Sequence, residues 1–199
     1  MANGRVTTGF SKPYVALYEA TNGEVSYTNA QYLARGVEVS IDAGDAGDNK
    51  FYADNITAEL ASSVFTSGTV TLTVDGLKEP ASKLILGLPD AEDGWTKYGI
   101  SQAIPFVGVG FVVRMQEDGV VSYVPMILRK CKFAQPGTNA ATQEEDIDWQ
   151  TQELSAQILR DDTAASDWKW VGEAKTSEAD AEAAIQAVLG GEAPGPVNP

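Results

Sequence analysis

The chain has no histidine at all and a single cysteine, Cys131, in 199 residues. Without histidine there is no Ser-His-Asp or Cys-His catalysis, no His-ligated zinc and no imidazole pH switch. One thiol allows neither an internal disulfide nor a thiolate metal cage. Positive charge is also scarce: 14 Lys+Arg stand against 28 Asp+Glu, a formal charge of −14. Nucleic-acid binding and polybasic membrane attachment both draw on clustered Lys and Arg, so neither fits. No run of about 18 apolar residues is present to span a bilayer. Met1-Ala2-Asn3-Gly4-Arg5 has no apolar centre of signal-peptide type. The expectation is a soluble, acidic protein made in a cytoplasm.

What is present is material for a core. Hydrophobic residues make up 43% and charged residues 21%, the balance of a folded domain rather than a disordered chain. A domain of this length buries roughly 70% of the surface its unfolded chain exposes and needs no metal or disulfide staple.

Most of the sequence reads as strands. Val37, Val39 and Ile41 alternate with Glu38, Ser40 and Asp42, which gives one dry face and one wet face. Ile56, Ala58 and Leu60 alternate likewise with Thr57, Glu59 and Ala61. Val70, Leu72 and Val74 alternate with threonines, with Ser67-Gly68 ahead of them as a turn or bulge. The longest β signal is the pair 104–116 and 120–133 around Glu117-Asp118-Gly119, a hairpin turn. Val107, Val109, Phe111, Val113 and Met115 share one face, and Pro125 predicts an edge position or a bulge. A strand over about 147–160 changes phase between Ile147, Trp149 and Leu154, Ala156, Ile158, so a bulge or bend near 150–153 is expected.

Two helices punctuate the strands. Pro80 and the spacing of Ala81, Leu84, Ile85 and Leu88 predict a short one over about 79–87. Ser177 with Asp180 forms a capping box ahead of the stripe Ala181, Ala184, Ile185, Val188, Leu189, and Gly190-Gly191 ends that helix. The organisation expected is a flexible arm over 1–8, one β domain over 9–189 and a Pro/Gly tail over 190–199. The fold class is mostly β: an antiparallel sandwich or partly closed barrel with one main C-terminal helix and a short second one.

Candidate chemistry fails on inspection. Asp42, Asp45 and Asp48 fall at three-residue intervals with no closing bidentate Glu, which is not a calcium loop. Gly108-Val109-Gly110 sits inside a strand and lacks the third glycine of a dinucleotide fingerprint, so a close backbone approach explains it better. Glu144, Glu145, Asp146 and Asp148 read as a solvated charge run rather than a glycosidase pair. Cys131 points away from Lys130 and Lys132 by alternation, as an inert sheet residue. Trp149, Trp168 and Trp170 read as core anchors. Two groups remain as candidate subunit-interface residues. Arg129, Lys130 and Lys132 are the one concentrated positive cluster, suited to the protein's own acidic regions across an interface. Phe51 and Tyr52, with Asp54 beside them, stand in a polar loop over 44–55 expected to be mobile in the free subunit and to order against a neighbour. No enzyme, metal or cofactor is expected.

Several segments in order resemble the major tail proteins of long-tailed, non-contractile bacteriophages. They are Phe10-Ser11-Lys12-Pro13-Tyr14-Val15-Ala16, Leu33-Ala34-Arg35-Gly36-Val37, Phe51-Tyr52-Ala53-Asp54-Asn55 and Thr69-Val70-Thr71-Leu72-Thr73-Val74-Asp75-Gly76-Leu77. Tyr98-Gly99, Pro105-Phe106-Val107-Gly108-Val109-Gly110-Phe111, the stretch 141–151, Arg160-Asp161-Asp162 and the Ala-rich last helix continue it across about 9–189. The resemblance implies a β-sandwich with a flanking helix, hexameric rings stacked into a tail tube, and assembly around a tape-measure protein. It also implies contacts with tail-terminator, neck and distal tail proteins, passage of DNA without specific binding, and a place in the virion after assembly in a host cytoplasm. Some relatives carry an extra immunoglobulin-like domain after this one, which the Pro/Gly tail leaves no room to expect. Two other readings stay open: the inner tube of a contractile tail or secretion apparatus, and a carbohydrate-binding or adhesion module. An enzyme is a distant third.

Overall fold

A computed structural model describes residues 4–44, 50–53, 56–60, 65–91, 93–100, 102–137 and 151–190, with the backbone alone for 50–53 and 56–60. The strands are β1 (Val6–Thr21), β2 (Glu24–Tyr32), β3 (Gly36–Asp42), β4 (Lys50–Ala53), β5 (Ile56–Leu60), β6 (Ser67–Val74), β7 (Val107–Glu117), β8 (Val120–Phe133), β9 (Gln152–Leu159) and β10 (Lys169–Val171). The helices are α1 (Glu79–Leu86) and α2 (Glu178–Leu189). All pairings are antiparallel, in the order β2-β1-β7-β8-β9-β6-β3, with β10 added beside β8 and β4-β5 as a separate hairpin. Among the described residues the protein is therefore mostly β with two helices, and its main sheet does not close.

That sheet curls. A Cβ on Gly36 of β3, at one end of the order, would overlap the ring of Phe10 on β1, near the other end. Only a curved sheet brings those strands together without pairing them. Inside the curl lie Val15, Val70, Leu72, Val74, Val107, Val109, Phe111, Leu128, Leu154 and Ile158, with Leu84, Ile85 and Leu86 of α1 against them. On the outer face Ala181, Ile185 and Leu189 of α2 cover Tyr14, Ala16, Tyr27, Val112 and Ile127. Strand β1 serves both faces because it is bulged: its register on β7 shifts between Ser11 and Tyr14, where Lys12 has φ +54°. The bulge resets the two-residue phase, so Phe10 and Val15 both face the inner core.

The expected elements are in place, with local corrections. The Asp118-Gly119 turn has φ +48° and +82°, as a two-residue hairpin turn requires. Helix α1 starts with a proline in its first turn, and Ser177 Oγ caps α2 by accepting the Asp180 N–H at 3.1 Å. Val37 was expected on the dry face of its strand but is 55% exposed, because the β3–β6 register shifts between Gly36 and Glu38. Ser67-Gly68 is not a turn: both residues pair with β9, and Gly68 is required because Asp42 O lies 2.5 Å from where its Cβ would be. Strand β1 begins at Val6, opposite Gln116, so the end of the expected 1–8 arm belongs to the sheet. Ile147, Trp149 and the phase change before Gln152 lie outside the described residues. Pro125 is not at a free edge and not at a bulge: it lies opposite Val112 of β7 on one side and beside the segment after β10 on the other. Its carbonyl accepts the Gly172 N–H at 2.8 Å, so its missing N–H also faces the short β10 extension, not β7. Among the described residues, no helix is long and apolar enough to cross a membrane.

Candidate functional site

The paired glycines of β7 decide how α2 sits. A Cβ at Gly108 would lie 2.5 Å from Tyr27 Cε1 and 3.1 Å from Leu189 Cδ2; one at Gly110 would collide with Ile185. Bare backbone at these two positions lets the helix and the Tyr27 ring approach the sheet, as the strand position of the motif implied. Two polar clusters flank this packed centre. Near the start of α2, Tyr14 O–H donates to Glu182 Oε1 at 2.6 Å and Lys12 Nζ lies 3.2 Å from Glu182 Oε2. Burial first, then the Glu182 carboxylate, pushes the Tyr14 phenol far up.

The second cluster contains the basic triplet. Arg129 is 4% exposed, with Nε donating to Asp161 Oδ2 at 2.9 Å and its guanidinium 3.7 Å from the centre of the Trp170 ring. Burial alone would raise the Asp161 carboxyl, but hydrogen bonds from Thr163 and Arg129 outweigh it and hold the group below its ordinary range. Lys130 Nζ donates to Asp162 Oδ2 at 2.6 Å, and Tyr18 O–H donates to the same oxygen at 2.8 Å. Lys130, then Tyr18, hold the Asp162 carboxyl low, while burial pushes the Tyr18 phenol up to about 12. Lys132 is exposed, its ammonium 5.5 Å from the Phe106 ring centre.

This corrects the expected role of the cluster. Arg129 and Lys130 do answer acidic residues, but those residues are Asp161 and Asp162 of the same chain. Alternation along β8 hid this, since it says which face a side chain takes and not what a distant loop brings to it. Of the triplet, Lys132 alone remains on the surface. Cys131 is fully buried and burial pushes its thiol far up, so it is neither nucleophile nor ligand as it stands. Trp168 stacks on Phe65 at 4.3 Å and 14° against the inner core, whereas Trp170 is an exposed lid on Arg129. Trp149 and the acidic run 144–148 lie outside the described residues.

Phe51 and Tyr52 fall on β4, which pairs with β5 through Phe51 opposite Glu59 and Tyr52 opposite Thr57. The segment expected as a loop over 44–55 thus contains one arm of a hairpin set between β3 and β6, apart from the main sheet. Asp54, and the side chains of Phe51 and Tyr52, lie outside the described residues.

The surface holds a feature the sequence reading passed over. The connection 87–106 carries Trp95 at 72% exposure, Tyr98 at 55% and Ile100 fully exposed. Its base is fixed: Gln102 Nε2 donates to Leu86 O at 2.9 Å and the Tyr18 N–H to Phe106 O at 3.0 Å. An unusually long connection holding Trp, Tyr and Ile among Gly and Asp was the available signal. On the outer face, Pro125, Ile127, Trp170, Val171, Ala184 and Val188 line an apolar groove of about 300 Å³ between α2 and β10. Among the described residues no cluster of three potential metal ligands occurs. No protein-family model matches the chain, and no curated protein matches it in sequence.

Proposed function

We propose that this chain is a structural tube subunit, the major tail protein of a long-tailed, non-contractile bacteriophage. It assembles into stacked hexameric rings around a tape-measure protein and forms the conduit for DNA in the virion. The observation that carries this reading is the main sheet, which curls without closing and, among the described residues, leaves β2 and β3 as its edges. Such edges are a liability in a lone subunit and a joining device in an assembly. The segment order from Phe10 to the last helix supports the family. A wall of net charge −14 per subunit repels a phosphate backbone, which favours passage over binding. No catalytic role, cofactor or membrane contact is part of the reading.

Strongly acidic copies also repel one another, so assembly is a competition between apolar burial and charge. Screening length falls from about 10 Å at 0.1 M salt to about 3 Å at 1 M. Sedimentation velocity across concentration and salt tests this: large assemblies should appear at high concentration and grow with added salt. The hairpin aromatics belong to the same proposal. Phe51→Ala with Tyr52→Ala should leave the subunit's melting temperature nearly unchanged and abolish the large species. A monomer at every salt and concentration overturns the reading; normal assembly of the double variant removes only the hairpin from it.

A further inference from the structure

We infer that the groove between α2 and β10 binds a proline-bearing extended segment, and that its occupant is residues 194–199 of the same chain. The inference stands apart from the tube reading. The groove is built around one aromatic ring. Trp170 lies over the Arg129 guanidinium, 3.7 Å from its ring centre, and Arg129 is anchored in turn by Asp161 at 2.9 Å. At the ring edge, Trp170 Nε1 donates to Asp167 Oδ2 at 2.8 Å. The indole is thus held from behind and at its edge, yet it stays 40% exposed. Pro125, Ile127, Val171 and Val188 complete the apolar wall. A ring fixed in advance loses little freedom on binding, and aromatic-lined grooves take up P-x-x-P segments, whose extended form is itself pre-set.

Such a segment is joined to the groove's own wall. Val188 lines the groove, α2 ends at Leu189, and Gly190 caps it with φ +72°. The sequence then reads Gly191-Glu192-Ala193-Pro194-Gly195-Pro196-Val197-Asn198-Pro199, which lies outside the described residues. Pro196-Val197-Asn198-Pro199 is a P-x-x-P run, and Pro194 adds a third proline. The reach is sufficient. From Gly190 back to Ala184, the far helical residue of the groove, is about 9 Å at 1.5 Å per helical residue. The length of Pro-rich chain after Gly190 spans about 28 Å at 3.1 Å per residue. Tethering beside the groove supplies an effective concentration in the millimolar range, enough to populate a contact too weak to form between molecules. Charge points to the same occupant. Arg129 is paired with Asp161 and Lys175 with Glu173, and Lys169 lies over the Trp168 ring. On α2, Glu178 accepts from Ser11, Asp180 from Ser177, and Glu182 from Tyr14 with Lys12 beside it. Engaged cations do not recruit an acidic occupant, and the α2 carboxylates oppose one. A second copy brings a charge of −14, whereas residues 194–199 carry no charged side chain.

The test uses full-length chains in low salt. A nitroxide spin label is attached to Asn198→Cys, while the fully buried Cys131 stays unlabelled, and its effect is read in the amide NMR spectrum. The Trp170 indole and the amides of Val171 and Gly172 should lose most of their intensity. Pro194→Ser, Pro196→Ser and Pro199→Ser together should restore most of it. Broadening centred instead on Gly190 and its neighbour Tyr27, and unchanged by the three serines, overturns the proposal. So does broadening at Trp170 that appears only when spin-labelled chains are mixed with separate isotope-labelled ones, since the occupant is then another copy's segment. A second measurement needs no label. The triple serine variant should bind an apolar fluorescent dye several-fold more than the wild type, because its groove is uncovered. Equal dye binding by the two overturns the proposal as well.

Discussion

Replacing Gly110 with alanine tests the seating of α2 on the sheet, on which the outer face of the subunit depends. An added methyl would collide with Ile185 Cγ2 and lie 3.1 Å from Leu189 Cδ1. Both side chains are fully buried, so neither has free space to turn into. Overpacking of this kind costs about 1–3 kcal/mol. The opposing gain, from replacing a flexible strand glycine, is roughly 0.5–1 kcal/mol and loses. Ile185→Ala should cost about 2–4 kcal/mol through the cavity it opens. In the double variant the methyl at 110 enters the space that Ile185 vacates, so the pair should cost about 1–2 kcal/mol less than the two separate losses together. Urea midpoints of the four proteins, with unchanged slopes, measure the cycle. Strict additivity, or a Gly110→Ala variant as stable as the wild type, would refute the packing described.

Three further predictions follow from the polar contacts and the termini of α2. Asp180→Ala should cost less than about 1 kcal/mol, since the Ser177 cap uses the backbone N–H of residue 180 and only the carboxylate is lost; a larger drop in the urea midpoint would contradict it. Asp161 and Asp162 have folded values below the ordinary 3.8, so the unfolded chain binds more protons in acid. Their contribution is complete above about pH 5 and is lost as pH falls through the unfolded and then the lower folded values, and Asp161→Asn should flatten that part of a stability-versus-pH curve measured by denaturation. Ser177→Ala should cost about 1 kcal/mol, more than Asp180→Ala, because it leaves the cap donor without its acceptor; the reverse order in thermal melts would show the cap is made otherwise.

Where neighbouring residues interact, the sequence was readable. The 107–133 hairpin, both helices and the inward faces of β6 and β9 follow from periodicity, turn chemistry and capping. Val37 was misread because a register shift changes the phase without changing composition. Val37 and the β1 kink at Lys12 both depend on how a partner strand is registered, which no local pattern records. Asn22-Gly23, with φ +54° and +81°, is a hairpin turn, yet the Tyr- and Thr-rich runs around it lack clean alternation because β1 serves two cores. The site was less legible than the fold. Arg129 and Asp161 meet across two strands and a loop, and the groove beside α2 exists only once β10 is laid against β8. Gly108 and Gly110 were the exception, since two glycines inside an apolar strand announce that something packs closely there.

Electron microscopy of the purified chain at high concentration and moderate salt bears most directly on the central claim. The account predicts rings with six-fold symmetry that stack into hollow tubes. Particles that remain single subunits under those conditions would contradict it.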